Sequence, residues 1–529
     1  MKTGFLKSLA DSKKIKYSTL STAFIAVVIA LVIMLNAITT VLSSKLGWYI
    51  DMTDEQMFSL SDDAKDLLDT INDNVELEIV FPCDKDEIDK NYANTKTAGA
   101  IGYVHSTAEQ ILKACDNVTV SYHDVDKDYL FYKEAGVLGK AGDDKILILR
   151  KDVNGKYVEG DFRVYPVNYF FVGDTNGDLY GYNGELMFLS ALLAMSHDTV
   201  PVVYFTIGHS EYSFNDDVTI SYETINEAYL AGKINEKALE LMRVFCDSGF
   251  VVKPLDLVTS EIPADARIIV INQPQSDFDD GEIYKLNTYL EKEGTVFCFT
   301  PHSVDLPNLY TTLEAVYGIK VTPSATPVED TSTQFANTKY TLLANVCTTD
   351  NSFATKQYFG SLNSFASARA RLMNCATLKI DEKFMTTEGY QTGSIIRYTY
   401  PLLETTRNAV YGDQKGVYNL MAISSREQWS YEGQYSSFSY LLVCPSSDFA
   451  SNEYLSSTSA PNKNMILSLI QSTSSVQTPV NLEYKTFMTY ELDITDRQAQ
   501  SATILLATIV PALVVLCGVV IMVRRKHRY

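Results

Sequence analysis

The sequence predicts an α/β protein: an extracytoplasmic parallel-sheet domain behind a smaller α/β domain, the two flanked by two transmembrane helices. Three observations predict it. Between about 198 and 475, short apolar runs of strand length alternate with helix-length amphipathic stretches, as in a doubly wound parallel sheet. Between 45 and 195 a strand–helix–strand pattern appears on a smaller scale. Two further runs, 20–42 and 502–523, contain no charged residue.

The first run, Leu20 to Leu42, is long enough to cross a hydrocarbon core, which takes about 20 helical residues. It exceeds the about 7–15 apolar residues of a signal peptide, so it is expected to stay as an anchor. Lys2, Lys7, Lys13, Lys14 and Lys16 precede it against the single acid Asp11, which places residues 1–19 in the cytoplasm. The second run, Ala502 to Val523, ends in Arg524, Arg525, Lys526, His527 and Arg528, so the tail 524–529 is expected on the same side. Pro511 within it is of a kind that membrane helices tolerate. Both termini inside put the body outside a plasma membrane, with the lipid bilayer as a partner. Residues 476–501 read as a linker down to it.

Composition narrows the function. Of 529 residues, 46% are hydrophobic and 21% charged, which supplies a core and excludes a disordered chain. The net charge of −21 argues against nucleic acid, whose phosphates it would repel. No C-x-x-C pair occurs among the eight cysteines, so neither a zinc ribbon nor a redox motif is indicated. No phosphate loop of the G-x-x-x-x-G-K-[ST] kind is present either. No cofactor or metal is expected, and any ATP used must be hydrolysed by another polypeptide.

In the first domain, 45–195, Ser61-Asp62-Asp63 caps a helix carrying Ala64, Leu67, Leu68 and Ile71 on one face. Val75 to Phe81 alternates as a strand, Val104 to Cys115 marks a helix, and Val118 to Tyr122 a second strand. Ile146 to Leu149 and Phe162 to Val172 read as further strands, giving a thioredoxin-like outline without the redox cysteines. Asp174 to Tyr180, with Glu185 twelfth in line, has some features of a calcium loop. Leu179 occupies the position where such a loop requires glycine, and Asn176-Gly177 is a hairpin-turn signal.

The second domain, 198–475, opens on the strand Pro201 to Thr206 running into Ile207-Gly208-His209-Ser210-Glu211. A helix over about 235–248, strands near Val251 and over Arg267–Ile271, a capped helix from Asp279 to Lys292, the strand Thr295–Phe299 and a helix before Tyr317-Gly318 follow. Residues 330–437, rich in Thr, Ser, Tyr and Asn, have no clean period and read as a strand-and-loop insertion. Ser439 to Cys444 reads as a returning core strand, and Asn464 to Ile470 begins the last helix.

Ligands of an open parallel sheet bind beyond the strands' C-terminal ends. His209, Glu211, His302, Asp305 and Asp448 lie there, with His209, Glu211, His302 and Asp448 the candidate ligand-binding set. Such a set can hold a metal or do acid–base work. A Gly-His at a strand end is as readily a tight turn. No G-x-S-x-G or G-x-C-x-G elbow is present, so no catalytic residue is assigned.

Four stretches resemble the gliding-motility-type auxiliary components of ABC transporters (GldG-like). They are Asp51-Met52-Thr53 with Phe58 to Ser61; Tyr182 to Glu185 leading through Ser190 to Leu193 and on to Tyr204 through Glu211; Ile268 to Pro274 with Tyr289 to Glu291; and Ser447 to Ala450 with Pro461 to Asn464. Ser210 departs from the pattern, standing where that family has glycine. The resemblance implies a glutamine-amidotransferase-like domain without retained catalysis, working beside a separate ABC permease and nucleotide-binding ATPase. The expected function is therefore a non-catalytic extracytoplasmic accessory subunit of an ABC transporter, not an enzyme. The alternatives are an ATP-independent surface module for peptide or glycan, and a residual hydrolase.

Overall fold

The computed structural model describes residues 57–487, apart from 92–97, 174–178, 336–337, 348–351, 363–366, 431–434, 457–460, 475 and 481, together with seven positions between Val27 and Ile38. Those seven are helical and exposed, and the rest of 20–42 and all of 502–523 lie outside the described residues. Among the described residues, no helix is long and apolar enough to cross a membrane.

The first domain opens with α1 (Asp62–Leu68), whose Ser61 cap accepts from the Ala64 N–H. Next come β1 (Glu76–Phe81), α2 (Lys85–Asn91), α3 (Ala98–Ala114), β2 (Val118–Tyr122), α4 (Tyr129–Glu134), β3 (Lys145–Lys151) and β4 (Tyr157–Pro166). The sheet order is β2-β1-β3-β4; β1 and β2 are parallel, while β3 runs antiparallel to β1 and β4. The period of two divides the strand residues between two cores. Leu77, Ile79, Phe81, Ile146 and Ile148 pack under α3, while Val80, Leu147 and Leu149 pack with Tyr132 of α4.

The stretch 162–172 is not one strand. A 3-10 turn at Val167–Phe170 separates β4 from β5 (Phe171–Gly173), which forms a hairpin with β6 (Leu179–Tyr182). Asp174 to Asp178 lie outside the described residues. Glu185 stands at the head of α5 (Gly184–Met195). Its carboxylate accepts from the Ser61 N–H at 3.0 Å and the Ser61 hydroxyl at 2.6 Å, and pairs with Lys485 at 2.6 Å.

The second domain contains β7 (Val202–Ile207), α6 (Ile225–Leu230), α7 (Leu239–Asp247), β8 (Val251–Asp256), β9 (Ala266–Asn272), α8 (Asp280–Leu290), β10 (Thr295–Phe299) and α9 (Pro307–Tyr317). Then follow β11 (Ile319–Thr322), β12 (Thr341–Val346), α10 (Ser352–Phe359), β13 (Arg369–Met373), β14 (Thr377–Ile380), β15 (Tyr390–Thr392), β16 (Ile395–Glu404), β17 (Val410–Tyr411), β18 (Gln414–Lys415), β19 (Asn419–Ser430), β20 (Tyr435–Cys444), α11 (Asn452–Leu455) and α12 (Asn462–Ser474). Strands β8-β7-β9-β10-β20 are parallel neighbours. In chain order that is 2-1-3-4-5, a doubly wound arrangement whose direction of winding reverses between β7 and β9. Val203, Phe205, Val270 and Phe297 meet Leu241, Phe245, Ile466 and Leu469 on one face. Tyr204, Ile269, Ile271 and Cys298 meet Leu286, Leu290, Leu309 and Leu313 on the other. Burying both faces explains why these strands read as unbroken apolar runs.

Within 330–437 the strands, apart from the β17–β18 pair, belong to the same sheet as the parallel ones. β19 pairs antiparallel with β20, β16 with β19, and β12 with β16 and β13, all in the same sheet as the parallel strands. Residues 476–487 depart from the expected linker. Val476, Val480 and Leu482 are buried, and β21 (Lys485–Thr486) returns to pair with β6 of the first domain.

The two domains meet along α5, apolar on nearly every side, whose Ala194 backbone lies so near Gly249 that a Cβ there would come within 2.5 Å of the Ala194 carbonyl. Beside it Arg163 of β4 stacks 4.3 Å over Tyr222 and pairs with Glu223 at 2.7 Å.

Candidate functional site

The first candidate turn leaves β7 at the point where the winding reverses. Gly208 (φ +113°) and Ser210 (φ 56°) both have positive φ, and between them the chain folds His209 inward. The turn is laced to the one after β9: Gln275 N–H donates to the His209 carbonyl at 2.8 Å, Tyr212 N–H to the Asn272 carbonyl at 2.9 Å, and the Asn272 side chain to the Tyr212 carbonyl at 2.7 Å.

His209 is 6% exposed, with its ring 4.1 Å from that of Phe278. Its Nδ1 lies 3.3 Å from Glu211 Oε1 and its Nε2 3.1 Å from Glu282 Oε2. Glu211 also accepts from the His209 N–H at 2.7 Å. Glu282 is the third residue of α8 and completes a capping box with Asp279, accepting from its N–H at 2.8 Å. The hydrogen bond to Glu211, then the Glu211 and Glu282 charges, outweigh burial and hold the imidazole pKa above the ordinary histidine value. A carboxylate at each ring nitrogen shifts the balance toward imidazolium, which has no lone pair for a proton or a metal. The described residues contain no cluster of three or more His, Cys, Asp or Glu that could hold a metal ion.

His302 follows β10, and its Nδ1 lies 3.0 Å from the Ser447 hydroxyl just after β20. Burial lowers its pKa, favouring the neutral ring. Asp448 is half-buried, with Asn374 Nδ2 at 3.4 Å, and burial raises its pKa. Asp305 is exposed. Hydrogen bonds thus join His209 with Glu211, His302 with Ser447, and Asp448 with Asn374. The last two groups are linked by the Ser447 N–H, which donates to the Asn374 carbonyl at 3.3 Å, and among the described residues no side-chain hydrogen bond or ion pair ties either to His209. Gln273 (φ 59°) links neighbouring strand ends, its N–H donating to the Phe299 carbonyl at 2.7 Å and its side chain to the Ser446 carbonyl at 2.8 Å. Beyond Tyr212 an open cleft of about 680 Å³ is lined by Asn215, Tyr229, Leu230 and Lys237, with Lys237 4.3 Å over the Tyr212 ring.

Sequence reasoning missed Glu282, Ser447, Gln273 and Asn374. Glu282 carried a signal, since a glutamate three residues after Asp279 is a capping-box residue, but nothing local says that it also reaches His209. In the first domain, Cys83 sits just after β1. Burial, with Glu87, Asp84 and Asp124 nearby, pushes its thiol up to about 11, so it is not a thiolate nucleophile at neutral pH. All seven described cysteines are free.

No family model matches the chain. No curated protein matches it either. Among solved structures it is similar to "mmIFT52 N-terminal domain", at 14% identity over 51% of this chain and 97% of that one, with a TM-score of 0.32. A superposition that loose carries no conclusion about fold or function.

Proposed function

We propose that the chain is a non-catalytic accessory subunit of an ABC transporter, anchored by helices at 20–42 and 502–523 with both termini cytoplasmic. Its doubly wound domain is of the glutamine-amidotransferase-like kind, held outside a plasma membrane beside a separate permease and ATPase. One observation carries the non-catalytic half: at the strand end where such a fold binds ligands, His209 is engaged at both nitrogens by buried carboxylates. The transporter half rests on the GldG-like stretches and on the two uncharged runs with basic flanks.

Gentle detergent extraction and affinity purification of the tagged full chain test it. Recovery of a multispanning permease and a nucleotide-binding protein in constant ratio is the expected result. Recovery of the chain alone, under conditions that keep other transporters assembled, contradicts it.

A second reading, residual hydrolase, is favoured by the Ser447–His302 contact, which has the spacing of a nucleophile and its base. Among the described residues nothing orients the other His302 nitrogen. Ester turnover by the purified chain that disappears in Ser447→Ala would favour this reading.

A further inference from the structure

Far from the His209 turn, Arg397 of β16 and Arg426 of β19 stand directly opposite each other in antiparallel register. Their side chains therefore share one face of the sheet, an arrangement that like charges disfavour. Arg426 is 4% exposed. Its Nη2 donates to Gln428 Oε1 at 2.5 Å, and its Nε is buried without a partner. The Arg397 guanidinium is 6.0 Å from the centre of the Tyr317 ring, and its Nε is also buried without a partner. Neither forms an ion pair with a described residue. Glu291, at the C-terminal end of α8, is close enough to favour the Arg426 charge, but it stays exposed. In a chain of net charge −21, two cations left together without a carboxylate in ion-pair contact need an explanation.

The register extends this row across four strands: Tyr390, Arg397, Arg426, Ser439. It offers hydroxyls and guanidinium N–H groups and no carboxylate. The ends of α8 and α9 contribute partial negative charge, which eases the burial. They give neither Nε a hydrogen bond.

We propose that Arg397 and Arg426 form the floor of a binding site for a phosphate-type oxyanion. Two guanidinium forks match a tetrahedral dianion in both charge and number of oxygens. Opposed strand residues lie about 4.5–5.5 Å apart at Cα, near enough for one ion to bridge both. Arg397, only partly buried, is the side of entry. The ion is either free or carried on a headgroup, and the two share the same contacts.

The test is thermal unfolding of the full chain in detergent with inorganic phosphate, against chloride at matched ionic strength. A parallel arm uses glycerol 3-phosphate as a soluble headgroup. A saturable rise in Tm in either arm, absent from Arg397→Gln and Arg426→Gln, is expected, and the stronger arm identifies the source. An equal response to chloride, no response in either arm, or a response that survives in both variants overturns the site. If Arg426→Gln does not fold, the partly buried Arg397→Gln variant decides alone.

Discussion

Two clusters of buried charge sit in the same domain and are balanced in opposite ways. At the His209 turn one cation lies between two carboxylates, and each ring nitrogen has its acceptor. At the β16–β19 pair two cations lie together, and each guanidinium keeps a buried N–H without an acceptor. The first cluster is the one a reader of the sequence would choose, because a Gly-His-Ser-Glu turn ending a strand looks chemical. Its side chains are nevertheless largely occupied with one another, with Glu282 Oε1 the buried atom left without a partner. Burial of an ionisable group is thus a poor guide to function, and the better guide is whether its hydrogen-bonding capacity has been used.

The largest expected effect is at His209. Replacing it with Ala leaves Glu211 and Glu282 buried without their cation, and removal of one member of a buried pair costs about 3–5 kcal/mol. Urea unfolding of the full chain in detergent measures this; a loss no greater than that of an ordinary surface change would mean that the cluster is not a lock. Arg426→Met is the counterpart, in phosphate-free buffer. It removes a buried charge with no ionic partner, so stability should stay level or rise by about 1 kcal/mol. A loss comparable to that of His209→Ala would erase the contrast. Asp279→Ala breaks the capping box that positions Glu282 and should cost about 1 kcal/mol by the same measurement.

The pH response sharpens the comparison with the smallest signal. The folded pKa of His209 is raised, so its stabilisation is fully present below the unfolded value of about 6.5. It fades as pH rises through the higher folded value. The gap in urea midpoint between wild type and His209→Gln should therefore be widest in mild acid and narrow on the alkaline side. A gap that widens with alkali would mean that the buried ring is neutral.

Legibility in the sequence followed the same physics. The parallel strands were readable because both faces are buried, so Val202 to Phe205 and Val296 to Phe299 are apolar without interruption. The α8 start was readable because its cap is local. Residues 395–430 were not, since half-exposed antiparallel strands such as β16 take their register from neighbours distant in the chain. The same reason hides the Arg397–Arg426 pair, which exists only once that register is known. Of the candidate site, His209 and Glu211 were visible as a two-residue spacing. Glu282 was hidden because its second task is across the sheet end, and Ser447 because only the fold sets β20 beside β10. The segment 476–487 misled because a polar run with scattered Val and Leu looks the same whether it hangs free or packs, as Val480 and Leu482 do.

The protonation state of His209 tests the central claim most directly. In nitrogen-15 NMR of the full chain labelled at histidine, with the signal assigned by its loss in His209→Gln, the account predicts both ring nitrogens protonated at pH 7. A neutral ring at that pH, with one nitrogen unprotonated, would give the turn a free base or metal ligand and contradict the reading of a non-catalytic lock.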